Sequence, residues 1–321
     1  MSEGSGVEYV CLTGPTACGK TDLALALAEH LPLEIISMDS ALVYRGLDIG
    51  TAKPSPAIRS AVPHHLIDIL EPTESYSAGR FAREAGTLIE EIRARGRLPL
   101  LVGGTLLYLR ALRDGLALLP RADLAVRAEL DREAAEQGLQ SLHERLRRVD
   151  PAAAERIAPS DRQRIQRALE VHTLTSRPIS ELQRANDERR RPGVLAIALV
   201  PESRAELGVR IERRFDAMVA AGFREEVERL RARGDLNSEL PAMRAVGYRQ
   251  LWAHLDGRYS WDEARAKAIV ATRQYAKRQL TWLRGDPRIE TWPAHSDGLV
   301  NRCLERLSKE SLIAKNGRRL C

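Results

Sequence analysis

The segment that most constrains the fold of this chain spans residues 14–21 and reads Gly-Pro-Thr-Ala-Cys-Gly-Lys-Thr. It matches the pattern G-x-x-x-x-G-K-T, follows the apolar run 7–13 and precedes helix formers at 22–30. A strand, a glycine-rich loop and a helix in this order form the phosphate-binding P-loop, because the glycines let backbone N–H groups and a helix N-terminus converge on an anion. The sequence therefore predicts binding of a diphosphate or triphosphate, as in nucleotide-binding and ATP-binding proteins.

Both the backbone and the side chains of this loop are expected to hold phosphate. Lys20 would place a positive charge at the outer phosphate, and the Thr21 hydroxyl would coordinate a Mg²⁺ ion that bridges the phosphates. A glycine-rich turn before a purely structural helix is the alternative, but the loop, the Lys-Thr pair and the flanking elements all favour the P-loop. The predicted diphosphate site consists of Gly14, Pro15, Thr16, Ala17, Cys18, Gly19, Lys20 and Thr21.

The basic residues of the chain favour a polyanionic partner. The 321 residues include 50 Lys and Arg against 44 Asp and Glu, a net charge of +6. Only six of the basic residues are lysine, and arginine is the side chain that binds phosphates bidentately. Because a GC-rich genome would give the same bias, the placement of the arginines is stronger evidence than their number.

Cysteine spacing and hydropathy indicate the compartment. The four cysteines, Cys11, Cys18, Cys303 and Cys321, have neither the spacing of a zinc site nor that of a disulfide framework. No apolar run approaches the roughly 18 residues of a membrane span. We therefore expect a cytoplasmic protein with no membrane partner. We also expect a monomer.

Two predicted strands end in short polar side chains. The run 33–38 is followed by Asp39 and Ser40, and the run 98–102 by Gly103, Gly104 and Thr105. Ligands of open parallel sheets bind outside the carboxyl ends of the strands, so Asp39 and Thr105 should face the same crevice as the P-loop. Asp39 is the first candidate for chemistry. The alternatives are a turn or cap residue at Asp39 and a helix cap at Thr105.

The remaining pattern predicts an α/β core interrupted by helices. Residues 41–63 read as a long loop, 66–70 as a strand and 77–95 as an amphipathic helix. Adjacent His64 and His65 would point to opposite faces of a strand and so cannot share one metal ion. Helices are predicted at 124–137, 139–149, 152–157 and 161–175 before a strand at 194–200. We predict a P-loop NTPase-like parallel sheet core at 1–118 and 194–321, with a helical insertion domain at 119–193.

The C-terminal part contains a strongly basic helix. Capping boxes at Ser203 and Ser260 open two long helical segments, and from 265 to 284 the second contains six basic residues and no acid. At about 100° per residue, one half-circle of this helix holds Ile269, Tyr275, Leu280, Trp282 and Leu283, and the other holds Lys267, Arg273, Lys277, Arg278 and Arg284. We expect the first face to pack and the second to contact nucleic-acid phosphates, with a merely solvated face as the alternative.

The ordered set of motifs resembles the tRNA dimethylallyltransferases, the bacterial tRNA isopentenyltransferase family. The resemblance covers nearly the whole chain. Besides the P-loop, it rests on Ser37-Met-Asp-Ser40, Asp48-Ile-Gly-Thr-Ala-Lys53, Leu101-Val-Gly-Gly-Thr105, Val246-Gly-Tyr-Arg249 and the segment 271–284.

This resemblance implies transfer of a dimethylallyl group from dimethylallyl diphosphate to the exocyclic amine of the adenine 3′ of the anticodon in tRNA. The P-loop and Mg²⁺ would then hold the leaving diphosphate, and Arg214 would add positive charge. Asp39 would be the general base, and Thr105 would help to hold the adenine. A surface role is the alternative for Arg214.

The resemblance also implies contacts with the anticodon stem-loop from several segments. Two positions depart from the family pattern, Cys18 in place of Ser and Leu42 in place of Gln, and the second puts a side-chain contact with RNA in doubt. The implied tRNA contacts are Asp39, Ser40, Ala41, Leu42, Thr105, Arg127, Gln163, Arg164, Ile165, Gln166, Arg167, Arg244, Ala245, Val246, Gly247, Tyr248, Arg249, Lys277, Arg278, Gln279, Leu280, Thr281, Trp282, Leu283 and Arg284.

Two other functions fit parts of the sequence. A P-loop nucleoside or nucleotide kinase would use Asp39 as base toward a hydroxyl group, but this function does not explain the basic helix. An RNA-binding NTPase switch would hydrolyse ATP or GTP when tRNA binds, whereas the transferase should hydrolyse neither.

Overall fold

The computed structural model describes residues 6–115, 117, 119–120, 122–184, 193–310 and 312. The chain divides into two compact units. The first consists of residues 1–113 and 192–321, and the second of residues 114–191.

The first unit is built on one parallel six-stranded sheet, which confirms the predicted α/β core. The strands are mostly apolar, and β2 is buried along its whole length, as expected of a sheet covered on both faces. The strand order is β3-β2-β4-β1-β5-β6, with β1 (Val7–Thr13), β2 (Leu33–Ser37), β3 (His64–His65), β4 (Leu98–Val102), β5 (Gly193–Val200) and β6 (Ile289–Pro293).

Helices cover both faces of this sheet. Leu23 and Leu27 of the first helix belong to the core on one face, and Phe81, Ile89 and Ile92 of the third belong to the core on the other. The helices of this unit are α1 (Lys20–Ala28), α2 (Pro56–Ala61), α3 (Ala78–Ala94), α4 (Leu106–Arg113), α10 (Arg204–Ala220), α11 (Phe223–Ala232), α12 (Tyr248–Leu255), α13 (Trp261–Arg284) and α14 (Leu299–Lys309).

The second unit is helical and has its own core. Apolar side chains of its longer helices, among them Leu130, Leu146 and Ile165, are buried together. The buried Asp150 carboxylate accepts hydrogen bonds from the Ala153 N–H at 2.9 Å and from the Ser180 hydroxyl at 2.7 Å, which ties two helices together. The helices are α5 (Leu124–Gln137), α6 (Leu139–Val149), α7 (Pro151–Arg156), α8 (Arg162–Thr175) and α9 (Ile179–Arg184).

Two sequence predictions about the segment after β2 were wrong. The strand expected at 66–70 is absent, because Leu66 and Asp68 have positive φ angles of 61° and 55°, and only His64–His65 pair with β2. The segment 41–63, predicted to be a loop, contains helix α2, whose first turn is capped by the Ser55 hydroxyl with Pro56 behind it. His64 and His65 bond to the Val62 carbonyl and to Glu34, in agreement with a structural role.

Candidate active site

The loop between β1 and α1 has the shape that its glycines require. Gly14 has a φ of 138°, and a Cβ atom there would lie 2.3 Å from the Leu199 carbonyl oxygen of β5. Gly19 has a φ of 72° and precedes Lys20, the first residue of α1. Only glycine fits at position 14. Because the loop follows β1 directly, the loop and the first turn of α1 lie at the carboxyl edge of the sheet. The Cys18 side chain is buried in the core.

Desolvation lowers the pKa of two basic side chains, one in this loop and one on α10. Lys20 is half-buried and its Nζ donates to the Pro15 carbonyl at 2.7 Å; desolvation lowers its pKa to about 8. Arg214 of α10 is exposed, but desolvation of its guanidinium by neighbouring protein also lowers its pKa, while Asp39 and Asp22 oppose that change. A bound polyanion would place negative charge beside both cations and so favour their charged forms.

The polar groups at the ends of β2 and β4 lie together. The Ser40 N–H donates to Thr105 Oγ1 at 3.2 Å, and the Thr105 N–H donates to the Met38 carbonyl at 3.2 Å. This approach requires glycine at position 103, where a Cβ atom would lie 2.1 Å from the Met38 oxygen. Asp39 Oδ1 accepts from the Ala41 N–H at 2.8 Å, so the carboxylate is held in a turn beside Thr105.

Charge interactions place Asp39 close to the phosphate loop. Its carboxylate raises the pKa of Lys20 and of Arg214 against the lowering by desolvation. It also contributes, after desolvation, to the raised pKa of Tyr275, which is about 12. The structure therefore brings the predicted base and the predicted diphosphate ligands into one site.

Tyr275 is a site residue that the sequence analysis missed. Its hydroxyl lies near the Thr105 side chain, which lowers the tyrosine pKa against the larger effect of desolvation, and the tyrosine is half-buried on α13. Sequence analysis placed Tyr275 on the packing face of the basic helix and assigned it no role at the site. Its position in the motif 271–284, one helical turn before Gln279, was the available signal.

Buried charges hold the segment between Asp39 and α2. Lys53 Nζ bonds to the Tyr44 carbonyl at 2.8 Å, to Asp48 at 2.6 Å and to Asp68. The buried carboxylate of Glu226 accepts hydrogen bonds from the backbone N–H groups of residues 48, 49 and 50 at 3.1, 2.7 and 3.1 Å. The Tyr248 hydroxyl donates to the same carboxylate. These bonds fix the shape of the Asp48-Ile-Gly-Thr-Ala-Lys53 motif.

An open cavity of about 400 Å³ lies between this motif and α10. Arg214 borders it, and most of the other side chains around it are apolar. Its lining residues are Asp48, Ile49, Ala52, Lys53, Arg214, Ala217, Met218 and Ala221. The cavity is open to solvent, with a mostly apolar wall and the charged side chains of Asp48, Lys53 and Arg214 around it.

The basic helix α13 is only partly cationic. Arg265 bonds to Asp216 at 2.7 Å and Arg273 to Glu212 at 3.3 Å, so α10 neutralises its first half. Among the described residues, no carboxylate pairs with Lys277, Arg278 or Arg284, all of which are exposed. The expectation that Trp282 packs was wrong, because 40% of its surface is exposed and Arg110 lies over its ring.

Several predicted tRNA contacts in the second unit are used inside the protein. Glu170 is fully buried and pairs with Arg127 at 2.8 Å and Arg167 at 2.6 Å. Ile165 has no exposed surface. Arg127, Arg167 and Ile165 thus stabilise the unit itself. The Ile165 side chain is enclosed by protein, whereas RNA contact by Arg127 and Arg167, whose side chains are 38% and 28% exposed, stays a prediction. Gln163 and Arg164 are exposed, while Gln166 bonds to Asp131 at 2.7 Å.

Burial also divides the predicted contacts of the first unit. Tyr248, Gly247, Gln279 and Leu283 are buried, so their side chains or Cα atoms face protein. The half-buried positions are Asp39, Ala41, Leu42, Thr105, Ala245, Val246 and Leu280, and the exposed ones are Ser40, Arg244, Arg249, Lys277, Arg278, Thr281, Trp282 and Arg284.

A parallel sheet with a P-loop after its β1 strand, and an acid and a threonine at two neighbouring strand ends, defines an α/β protein of the P-loop class. Comparison with known proteins specifies which family of that class. A family model described as IPP transferase matches residues 42–286. The chain belongs to this family.

Individual relatives agree with this assignment. The chain is 58% identical over 287 residues to a tRNA dimethylallyltransferase of Bordetella petrii, an alignment that covers 88% of this chain and 91% of the relative. It is 59% identical over 280 residues to that of Halorhodospira halophila, covering 86% and 89%. The crystal structure of the full-length tRNA isopentenylpyrophosphate transferase from Bacillus halodurans superposes with a TM-score of 0.68 at 39% identity, covering 94% of this chain and 97% of that one.

No helix in the described part of the chain is long and apolar enough to cross a membrane. No cluster of three or more His, Cys, Asp or Glu side chains in that part could hold a metal ion by itself.

Proposed function

We propose that this protein is a tRNA dimethylallyltransferase, which moves the dimethylallyl group of dimethylallyl diphosphate to the exocyclic amine of the adenine 3′ of the anticodon and releases diphosphate. The observation that carries this proposal is the joint placement of Asp39 and Thr105 beside Lys20 and Arg214. One side of the site suits a leaving diphosphate and the other suits an amine nucleophile.

In this reaction the adenine amine forms a bond to the first carbon of the prenyl group as the bond from that carbon to the diphosphate oxygen breaks. The electron pair of the broken bond leaves with the diphosphate, and the amine loses a proton. Lys20, Arg214 and the N–H groups of the P-loop other than that of Thr16, which donates to Gln279, stabilise the charge that develops on the leaving oxygen. Asp39 accepts the proton, directly or through one water, because its carboxylate lies at the same crevice.

The residues at the P-loop fit a Mg²⁺ ion. The Thr21 hydroxyl is exposed in the first turn of α1, and Mg²⁺ is typically bound by few protein oxygens together with phosphates and water. When bound, the ion would neutralise diphosphate charge and so make the diphosphate a better leaving group. The side chain of Thr21 would hold it, and Lys20 would share the same diphosphate.

The open cavity beside Arg214 is assigned to the dimethylallyl group. Its walls at Ile49, Ala217 and Met218 are apolar, and Arg214 would bind the diphosphate at its edge. Burying the prenyl chain there leaves the diphosphate at the cations.

RNA binding is assigned to the exposed positive charges and to the helical unit. Lys277, Arg278 and Arg284 have no carboxylate partner in the described part of the chain, so their charge is available for phosphates. Gln163 and Arg164 are the exposed candidates in the second unit. The adenine must leave its stack to reach Asp39, which costs a few kcal/mol that these contacts would offset.

We further assign the protein to the cytoplasm as a monomer. The thiols of Cys11, Cys18 and Cys303 are buried and free, which suits a reducing compartment.

The test is incubation of the purified protein and Mg²⁺ with unmodified tRNA and prenyl-labelled dimethylallyl diphosphate, with γ-labelled ATP and tRNA in a parallel tube. Label in the RNA would support the transferase. Transfer or release of the ATP phosphate without prenyl transfer would contradict it and favour a kinase or an NTPase.

A further inference from the structure

The side-chain amide of Gln279 joins two parts of the active site. Its Oε1 accepts a hydrogen bond from the Thr16 N–H at 3.2 Å, and its Nε2 donates to the Gly104 carbonyl at 2.8 Å. Thr16 belongs to the P-loop, and Gly104 precedes Thr105. One side-chain amide of α13 therefore links the P-loop to the turn that contains Thr105.

The surroundings fix this amide in place. Only 5% of the Gln279 surface is exposed. A Cβ atom at Gly104 would lie 2.2 Å from Nε2, so the side chain occupies the space that glycine leaves open. Because a buried amide is costly unless both of its ends are hydrogen-bonded, the two bonds determine its orientation. The contact expected between Gln279 and RNA is replaced by these two bonds to backbone.

The same helical turn presents exposed cations on its other side. Lys277 and Arg278 immediately precede Gln279, and both are exposed without a carboxylate partner in the described part of the chain. Gln279 and Leu283 face the protein. A helical turn moves as a unit, so a phosphate held by these cations restrains the amide as well.

We propose that Gln279 is a positioning residue through which RNA binding on the exposed face of α13 and diphosphate binding at the P-loop strengthen each other. The proposal rests on the proposed function, which supplies the two ligands. The amide already bonds to the Thr16 N–H and the Gly104 carbonyl, and RNA bound to Lys277 and Arg278 restrains the turn that carries it, so these bonds open less often. Each ligand thereby lowers the ordering cost of the other, and this effect must be reciprocal.

The experiment measures binding without chemistry. Inorganic diphosphate with Mg²⁺ is titrated by calorimetry into the full-length protein, alone and saturated with an unmodified anticodon stem-loop RNA. We expect the RNA to tighten diphosphate binding about 10-fold, within the usual range of coupling between sites. In Gln279→Met, which keeps the length of the side chain but neither hydrogen bond, this factor should fall to about 1 to 2, while the affinity for RNA alone changes less than about 3-fold.

Two further variants make the test specific. Gln274→Met removes an exposed glutamine of the same helix and should keep the full coupling. Gln279→Glu keeps an acceptor for Thr16 but places an oxygen against the Gly104 carbonyl, so it should also lose the coupling, and it serves if Gln279→Met fails to fold.

Coupling that is equal in the wild type and in the folded Gln279 variants, or no coupling in the wild type, would overturn the proposal. Prenyl transfer by the same wild-type preparation is measured separately. An active wild type with unaltered coupling in the variants would refute only the role of Gln279, whereas an inactive wild type would refute the proposed function.

Discussion

The Ser40 N–H and the Thr105 side-chain oxygen are joined by a hydrogen bond of 3.2 Å between the ends of two neighbouring parallel strands. Through this bond, the turn that contains Asp39 and the turn that contains Thr105 become one surface. The sheet order places β4 between β2 and β1, so this surface lies next to the P-loop that follows β1. The geometry of a parallel sheet thus assembles the site from segments far apart in sequence.

Replacement of Asp39 should slow the chemical step. Asp39→Asn keeps an oxygen for the Ala41 N–H but removes the base, so we expect the single-turnover rate with saturating tRNA to fall about 10²- to 10⁴-fold. The affinity for tRNA should change little. An unchanged rate would remove Asp39 from the role of base.

Removal of a cation that has no carboxylate partner among the described residues should weaken RNA binding in a salt-dependent way. For Arg278→Gln, we expect weaker binding of tRNA and a slope of log affinity against log salt that is shallower by about 1. Arg265→Gln makes the same change in a residue that Asp216 and Glu212 already neutralise, so it should alter the slope much less. Equal effects of the two changes would contradict the assignment of the RNA surface.

The lowered pKa of Lys20 predicts a pH dependence of diphosphate binding. Because this pKa is about 8 in the free protein, the ammonium is charged below that pH and neutral above it. Affinity for Mg²⁺-diphosphate should therefore decrease as the pH rises through 8, and Lys20→Ala should bind weakly with little of this dependence. Calorimetry between pH 7 and 9.5 checks both, and equal pH profiles for the two proteins would be inconsistent with Lys20 as a phosphate ligand.

A larger side chain in the cavity beside Arg214 should exclude the prenyl group. Met218→Trp is expected to raise the KM for dimethylallyl diphosphate about 10-fold or more, while the affinity for inorganic diphosphate stays near that of the wild type. Val209→Trp, at a position of the same helix that is 48% exposed, is the control. A KM unaffected by Met218→Trp would place the hydrocarbon group elsewhere.

The carboxylate of Glu226 should be important for stability. Glu226→Ala leaves three backbone N–H groups and the Tyr248 hydroxyl without their acceptor, and we expect the free energy of unfolding to fall by about 2 to 4 kcal/mol. The exposed neighbour Glu225→Ala should cost less than about 0.5 kcal/mol. Urea unfolding measures both changes. A stability of Glu226→Ala equal to that of the wild type would mean that water can replace the carboxylate as the hydrogen-bond acceptor.

Local patterns were sufficient for much of the fold. The P-loop spacing and the apolar runs predicted β1, β4 and β5. The amphipathic pattern of 77–95 predicted α3, and the capping box at Ser260 marked the first turn of α13. These elements depend on neighbours in sequence, which the chain itself displays. The strand expected at 66–70 failed because Asp68 bonds to Lys53 and Arg59, two side chains that a local pattern cannot pair with it.

The sequence predicted the site residues that lie at strand ends. It did not predict the side-chain contacts that depend on tertiary packing. Asp39 and Thr105 follow from the rule for parallel sheets. The pairing of Arg127 and Arg167 with a buried Glu170 depends on the packing of α5 against α8, which neither the local pattern nor the family resemblance that implied their RNA contacts displays. The burial of Gln279 and the placement of Tyr275 near Thr105 likewise depend on which face of α13 meets the sheet.

The most direct test of the transferase assignment is mass spectrometry of nucleosides from unmodified tRNA incubated with this protein, Mg²⁺ and dimethylallyl diphosphate. A matched tRNA in which the adenine 3′ of the anticodon is replaced by guanine serves as the control. The proposed function predicts a dimethylallyl group on that adenine and none in the control RNA. Unmodified adenine after incubation with folded protein would contradict it, and so would prenylation of the control RNA.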